Sequence, residues 1–240
     1  MYPLMEILKL TGFYVMDTQM SEEMIQNVKS SIQDAKKGKL VQRSAFLENL
    51  DTNVNTVYKN NLGSGVMQVF LQCTEAQMMN HYMGYILEGI TGLDWKRGVN
   101  NQMLPITIHT PASFLQAHRE PGFGYASNDL LCVLMMSDPN TNFSEGQLYL
   151  NSDENDPEET RHYFNLQYGQ MIVFDNQRFV HGTEPLKKGS YFMASWRTSK
   201  SFKPRAPARA STHDAYKKAP KYNPSQPLPV RFTNQTPAKV

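Results

Sequence analysis

The residue pair best suited to chemistry is His118 and Glu120, which stand two positions apart in the segment SFLQAHRE. Residues i and i+2 of a β-strand project from the same face, so this imidazole and this carboxylate could reach one metal ion. Two ligands make only half a metal site. A surface histidine and glutamate on an exposed strand explain the pair about as well, so its value depends on a third ligand.

The third candidate ligand is His181, in the segment GQMIVFDNQRFVHGTEP. An apolar strand is expected to end there at a turn, with the histidine just past it. Two histidines and one carboxylate that leave other coordination positions open suit non-haem Fe(II) and oxygen chemistry. Taken together, the three residues predict an open iron site.

A candidate anion-binding group follows in the segment SYFMASWRTSK. By strand alternation, Ser195, Arg197 and Ser199 share one face with Tyr191. A guanidinium fork with a hydroxyl two residues further on is well formed to hold a carboxylate. The alternative is an ordinary solvated arginine at a strand end, and without the upstream ligands that alternative would be preferred.

The elements that position these residues change in type along the chain. A short strand over 12–16 precedes a helix that Ser21 caps, and a second helix is predicted over 75–89. The apolar face of that second helix is expected to join the core, and its members are Met78, Met79, Tyr82, Tyr85 and Ile86.

From residue 103 onward the pattern is that of short strands. Seven β-branched or aromatic runs are separated by turn-rich pieces such as SDPNTNFSEG, and no helical pattern interrupts them. Strands in this number without helices between them predict a sandwich or an open barrel, with the N-terminal helices packed outside it.

The order and spacing of these segments resemble the Fe(II)/2-oxoglutarate-dependent oxygenases over about residues 10–200. His118 and Glu120 match the H-x-D/E motif of that superfamily, and His181 matches its distal histidine. The segment EGQLYL is similar to its glycine-led strand, and Arg197 with Ser199 resembles the R-x-S pair that binds the distal carboxylate of 2-oxoglutarate in some members. The resemblance implies a mainly β protein with N-terminal helices, built on a double-stranded β-helix, or jelly roll, with the metal near one open end.

Two departures from the family pattern bear on the site. Glutamate stands at position 120, where aspartate is commoner. Arg197 comes 16 residues after His181, whereas many members place a basic residue about ten after, where this chain has Tyr191. Whether Arg197 with Ser199 or instead Tyr191 binds 2-oxoglutarate therefore stays open.

The resemblance also implies the reaction and its cofactors. Fe(II) would be held by His118, Glu120 and His181, with 2-oxoglutarate and O2 taking the remaining positions. The expected products are succinate, CO2 and an oxidised substrate, most simply a hydroxylated one, although desaturation or ring closure uses the same chemistry. Retention of the carboxylate argues against a halogenase.

The substrate is expected to be a small molecule such as an amino acid or a natural-product intermediate. The glycine-rich loop PGFGYASN follows the metal pair, and its Phe123, Tyr125 and Asn128 could close over such a molecule. A plain surface turn explains that loop equally well. Two other functions stay open: a non-catalytic metal- or ligand-binding jelly roll, and an oxygenase that acts on a protein or a nucleic acid.

Charge and proline divide the chain. Residues 201–240 hold eight basic residues, one acidic residue and seven of the 14 prolines, although the net charge of the whole chain is only +2. We therefore predict an oxygenase domain over 1–203, helical over about 1–100 and a β-barrel over about 103–203, followed by a basic, Pro-rich tail over 204–240. A solvated arm on an acidic body explains the tail more simply than nucleic-acid or protein binding does.

Composition also predicts where the protein works. No stretch approaches the eighteen or so apolar residues of a membrane span, and the segment MYPLMEILKL lacks the features of a secretory signal. Cys73 and Cys132 lie in unrelated contexts, so a disulfide framework is excluded. We expect a cytoplasmic protein that does not bind membranes.

Overall fold

The structure is a computed structural model that describes residues 3–36, 46–49, 63–64, 66–71, 73–93, 95, 104–120 and 130–198. Predictions about Phe123, Tyr125, Asn128, Ser199 and the tail over 204–240 lie outside the described residues and stay predictions. Among the described helices, none is long and apolar enough to cross a membrane.

The described residues of the N-terminal part contain three helices: α1 (Pro3–Thr11), α2 (Glu22–Lys36) and α3 (Thr74–Thr91). The Ser21 hydroxyl accepts a hydrogen bond of 3.2 Å from the backbone N–H of Met24, so the predicted cap of α2 is confirmed. Helix α3 ends at Gly92, whose φ of 67° only glycine adopts readily. Its N–H donates to the carbonyl of Glu88 at 2.8 Å.

The predicted apolar face of α3 is wrong for two residues. Met78 and Tyr85 are 55% and 79% exposed, whereas Met79, Met83 and Leu87 are fully buried. With 3.6 residues per turn, positions 79, 83 and 87 fall on one stripe, and positions 78 and 85 lie about 100° or more away from it. This stripe packs α3 against the other two helices and the barrel.

Two large sheets and one small sheet contain the strands of the described residues. Their bounds are β1 (Phe13–Asp17), β2 (Phe46–Asn49), β3 (Gly63–Ser64), β4 (Met67–Leu71), β5 (Leu104–His109), β6 (Phe114–His118), β7 (Leu130–Met135), β8 (Phe143–Glu145), β9 (Leu148–Asn151), β10 (His162–Phe164), β11 (Gln170–Asp175), β12 (Val180–Thr183), β13 (Leu186–Gly189) and β14 (Tyr191–Arg197).

The larger sheet has the order β1-β11-β7-β14-β5-β4-β2, and the smaller sheet has the order β10-β9-β12-β6-β3. Strands β5, β6 and β7 alternate between the two sheets, and so do β10, β11, β12 and β14, with every pairing antiparallel. Four adjacent strands of each sheet, β11-β7-β14-β5 of the larger and β10-β9-β12-β6 of the smaller, thus wind into a double-stranded β-helix. The predicted fold class, mainly β with N-terminal helices around a jelly roll, is confirmed.

Strand alternation divides the core into two layers. Ile106, Ile108 and Phe192 project from the larger sheet toward the helices. Tyr191 and Met193 project from the same sheet into the space between the two sheets. Alternate residues of β5 and β14 therefore line the barrel interior, which is where the predicted site residues must point.

Candidate metal centre

The smaller sheet brings the three predicted ligands together. His118 at the end of β6 lies directly opposite His181 of β12, and their ring centroids are 4.3 Å apart. Glu120 follows two residues after β6 ends. One ligand atom from each of the three side chains lies within 4.8 Å of the others. The prediction that His118 and Glu120 share one strand face is therefore wrong for Glu120, because β6 ends at His118. The arrangement is a histidine at the end of one strand, a glutamate in the segment just after it, and a histidine on the neighbouring strand.

The local prediction for His181 is confirmed, because β11 ends at Asp175, a turn follows over 176–178, and the histidine lies just past it. It lies inside β12, a strand that the sequence did not predict and that pairs with β6 on one side and β9 on the other. The four residues Val-His-Gly-Thr give too short a strand pattern to recognise in the sequence, since glycine weakens strands and four residues give only two alternations. Pairing on both sides buries the histidine and fixes its register.

Asn176 holds the backbone of Glu120 through two hydrogen bonds. Sequence reasoning did not identify Asn176 as a site residue. The backbone N–H of Glu120 donates to Asn176 Oδ1 at 3.0 Å, and Asn176 Nδ2 donates back to the Glu120 carbonyl at 3.0 Å. Asn176 is buried in the turn between β11 and β12. The signal in the sequence was an asparagine directly after an apolar strand, at the start of the turn that leads to His181.

Charge at the site is governed by Glu120 and Arg197. Arg197 Nη2 donates to Glu120 Oε2 at 2.5 Å, and His118 Nε2 lies 3.4 Å from Glu120 Oε1. Burial acts to raise the pKa of the Glu120 carboxyl, but the charge of Arg197 and the contact with His118 outweigh it and lower that pKa. The carboxyl is therefore ionised at neutral pH.

The two histidines differ in their electrostatics. Burial lowers the pKa of His181 well below its ordinary value, and the neighbouring His118 adds to the effect. Burial also acts to lower the pKa of His118, but its hydrogen bond with Glu120 and the negative charge there raise it overall. Since a metal ion competes with the proton for imidazole nitrogen, a cation at Glu120 would take the proton's place on His118.

The residues fit a divalent metal ion. His118 Nδ1 lies 2.8 Å from the Gln116 carbonyl, which fixes the ring and leaves Nε2 facing Glu120. Among the described residues, the buried His181 Nδ1 has no hydrogen-bond partner. Two imidazoles and one ionised carboxylate on a rigid sheet are the donor set that suits open Fe(II) sites.

Arg197 and Tyr191 lie at opposite ends of β14 and are not brought together. Both project into the barrel interior, but six strand positions, or about 20 Å, separate them. The Arg197 guanidinium contacts the metal-ligand candidate Glu120. Tyr191 is fully buried at the other end, where its hydroxyl donates to the Gly146 carbonyl at 3.0 Å.

A separate cavity of about 480 Å³ lies along β6, β9 and β12. It is not lined by His118, Glu120 or His181. At its wall Arg161 donates to both oxygens of Asp156, at 2.9 and 2.6 Å, and to Glu184 at 2.7 Å. The Arg161 guanidinium also lies 4.2 Å from the ring centroid of Tyr149. These contacts brace the outer side of the strands that carry the histidines.

Gly182 makes close packing beside His181 possible, and this gives a first prediction. A Cβ atom there would lie 2.5 Å from the Leu115 carbonyl oxygen and 2.5 Å from the Tyr149 hydroxyl. Gly182→Ala is therefore expected to push β12 away from β6, to cost about 1–3 kcal/mol of unfolding free energy and to weaken metal binding. Denaturant unfolding and metal titration measure the two effects.

Gly89 of α3 supplies the matched control, because a Cβ there meets nothing within 4 Å. Gly89→Ala is expected to be neutral or to stabilise the protein by up to about 1 kcal/mol, since alanine favours a helix interior. Equal unfolding midpoints for the parent and Gly182→Ala would show that the close approach of β12 and β6 is not needed.

Comparison with known proteins agrees with this fold. No protein-family model and no curated protein matches the chain. Among solved structures, a Pseudomonas putida prolyl-4-hydroxylase matches with 12% identity and a TM-score of 0.56 over 82% of this chain and 98% of its own. The carbocyclase SnoK from nogalamycin biosynthesis, described as non-haem and alpha-ketoglutarate dependent, matches with 12% identity and a TM-score of 0.56, over 81% and 82%.

A Trichoplax adhaerens prolyl hydroxylase, solved with a hypoxia inducible factor oxygen degradation domain peptide fragment, is similar to the same extent. It shares 11% identity with a TM-score of 0.55 over 82% of this chain and 87% of its own. The protein thus has the fold of the 2-oxoglutarate–Fe(II) oxygenases. Within that fold it holds a His-x-Glu…His triad, so the resemblance seen in the sequence is confirmed.

Proposed function

We propose that the protein is an Fe(II)- and 2-oxoglutarate-dependent dioxygenase. It oxidises, most simply hydroxylates, a C–H bond of a small molecule such as an amino acid or a natural-product intermediate, with release of succinate and CO2. The observation that carries the proposal is the meeting of His118, Glu120 and His181, with the two histidines on neighbouring strands of the jelly roll and the glutamate just after the end of one of them. That donor set suits Fe(II) and oxygen chemistry, and the substrate class has separate support.

In this proposal the three ligands hold Fe(II), which supplies the activation of O2 when it is bound with the cosubstrate. The rest of the site keeps the ligands in place. The Gln116 carbonyl orients His118, and Asn176 anchors the backbone of Glu120 from both sides. Pairing of β12 on both edges holds His181 in a water-poor position.

Arg197 and Tyr191 are proposed to contact 2-oxoglutarate at its two ends. The resemblance implied that Arg197 binds the distal carboxylate, but Arg197 lies beside Glu120, so we propose that it contacts the carboxylate nearer the metal. Ser199, two positions further on, belongs to the same proposal. Tyr191 lies deeper in the interior, and the inward-facing Thr107 and Ser195 between the two ends are only half-buried. The interior therefore has polar, accessible side chains along the length that a dicarboxylate would occupy.

The substrate is proposed to meet the loop after Glu120, where Phe123, Tyr125 and Asn128 would contact it. The similarity to SnoK supports a small molecule, and the similarity to the Trichoplax adhaerens prolyl hydroxylase, solved with a peptide fragment, supports a protein substrate as the alternative. We also propose a cytoplasmic location, which agrees with the free thiols of Cys73 and Cys132.

Succinate formation tests this function. Purified protein with Fe(II) and 2-oxoglutarate would be incubated with a panel of amino acids, small metabolites and a proline-containing peptide. At least one member of the panel should raise succinate above the level reached by His181→Ala. Binding of metal and 2-oxoglutarate without any succinate would favour the non-catalytic binding protein instead, and stimulation by the peptide alone would favour a protein substrate.

A further inference from the structure

One buried imidazole takes no part in the metal centre. His109, the last residue of β5, is fully buried, and its ring stacks on that of Tyr191 with centroids 4.3 Å apart and planes inclined by 15°. Its Nδ1 lies 3.2 Å from the Ser113 hydroxyl. Among the described residues, its Nε2 has no hydrogen-bond partner. A buried polar atom without a partner is rare and needs an explanation.

The His109 ring lies inside the barrel. Its strand neighbour Ile108 packs on the helices, so alternation turns His109 toward the space between the sheets. The register agrees, because His109 lies directly opposite Tyr191, which belongs to the apolar cluster of that interior. The unpartnered nitrogen thus belongs to the same interior as the metal ligands.

Ser113 is positioned to donate to His109. Its hydroxyl oxygen accepts the backbone N–H of Thr110 at 2.9 Å, and we assign its own hydrogen to His109 Nδ1, which lies 3.2 Å away. With this assignment the proton of the neutral ring is on Nε2. Burial lowers the pKa of His109 to about 3, so the ring is neutral at physiological pH. The barrel interior therefore contains an N–H donor that has no acceptor among the described residues.

The Nε2–H group of His109 lies further inside the barrel than the metal ligands do. Thr183 follows His181 by two positions on β12, about 6.8 Å along the strand and on the same face. Its side chain contacts the Tyr191 hydroxyl, and its Oγ1 accepts the backbone N–H of Leu115 at 2.9 Å. His181, Thr183, Tyr191 and His109 thus form a continuous row from the metal ligands into the barrel.

We propose that His109 is a cosubstrate-binding residue whose Nε2–H donates to the distal carboxylate of 2-oxoglutarate, beside Tyr191 and Thr183. The proposal rests on the proposed function and adds a neutral hydrogen-bonding subsite where many related oxygenases place a basic residue. A five-carbon keto diacid has its keto acid at one end and its second carboxylate at the other, which matches a row that runs from metal ligands to an N–H donor. A keto acid without the second carboxylate leaves His109 unpaired.

Anaerobic calorimetry on the Fe(II)-loaded full chain tests this assignment. The titrants are 2-oxoglutarate and 2-oxobutanoate, which lacks the distal carboxylate. His109→Phe keeps a ring for stacking but removes the donor, and it should weaken 2-oxoglutarate binding roughly ten- to a hundredfold, as expected for a hydrogen bond to a charged group. Binding of 2-oxobutanoate should not change. His109→Gln, whose amide N–H can replace Nε2–H, should recover most of the affinity.

A second readout does not depend on substitution. In the Zn(II)-loaded parent with ¹⁵N-labelled histidine, addition of 2-oxoglutarate should move the His109 Nε2–H proton resonance downfield, and addition of 2-oxobutanoate should not. A parent that binds no 2-oxoglutarate would contradict the proposed function itself. A parent that binds it, with equal affinity in His109→Phe and no shift of the resonance, would overturn the role of His109 and leave the function standing.

Discussion

Alanine in place of His118, Glu120 or His181 is expected to abolish 2-oxoglutarate turnover and to weaken iron binding by at least about a hundredfold. This loss of iron affinity is larger than the 10- to 100-fold loss that follows from changing a residue that only supports a metal ligand, because each of the three substitutions removes a ligand itself. The three side chains supply all the nitrogen and carboxylate donors that the described residues bring together at this point. Fe(II) titration and succinate formation measure the two losses.

His81 supplies the control for these variants. It lies on α3 with its side chain exposed, away from the barrel interior. His81→Ala should keep parental iron binding and turnover. All four variants should unfold cooperatively, and full activity in any of the three ligand variants would remove that residue from the metal site.

Methionine in place of Arg197 is expected to lower the affinity for 2-oxoglutarate by roughly ten- to a hundredfold, as loss of a charge-assisted hydrogen bond of about 1.5–3 kcal/mol implies. Arg197→Lys keeps the charge but loses the planar fork of the guanidinium. The affinity of this variant for 2-oxoglutarate should therefore lie between those of Arg197→Met and the parent. Iron binding should change little, because Arg197 contacts Glu120 but is not itself a metal ligand. Calorimetry with metal and then with 2-oxoglutarate separates the two effects.

Arg178 gives a matched arginine control outside the barrel interior. Its guanidinium donates to the Leu10 carbonyl at 3.2 Å, at the junction of α1 with the barrel. Arg178→Met should leave both affinities unchanged. If Arg197→Met binds 2-oxoglutarate as tightly as the parent does, the guanidinium is not part of the cosubstrate site, and its contact with Glu120 serves the metal ligand alone.

The sequence contained enough to predict the local half of the site. The two-residue spacing of His118 and Glu120 indicated a pair of ligands, although β6 ends at His118 and hydrogen bonds to Asn176, not strand alternation, hold the backbone of Glu120. The capped start of α2 at Ser21 and the run of short strands after residue 103 are equally local signals. The fold class followed from them, together with the resemblance to a known family.

The other half of the site depends on contacts between distant segments. His181 meets His118 only through the register of β12 on β6, and a four-residue strand that contains glycine leaves too weak a pattern to reveal that register. Asn176 contacts Glu120, which is distant in sequence, and His109 is distinguished by its burial. Neither feature leaves a local pattern in the sequence. The exposed Met78 and Tyr85 show the same limit, since an apolar helix face is selected by what packs against it.

The central claim is that one Fe(II) ion, held by the His-x-Glu…His triad, is chelated by 2-oxoglutarate. The most direct test is an anaerobic titration of 2-oxoglutarate into the Fe(II)-loaded protein, followed by visible absorption. The parent should develop a weak metal-to-ligand charge-transfer band that saturates with one equivalent of 2-oxoglutarate, and His181→Ala should not develop it. A parent that binds Fe(II) but shows no band at saturating 2-oxoglutarate would contradict the account.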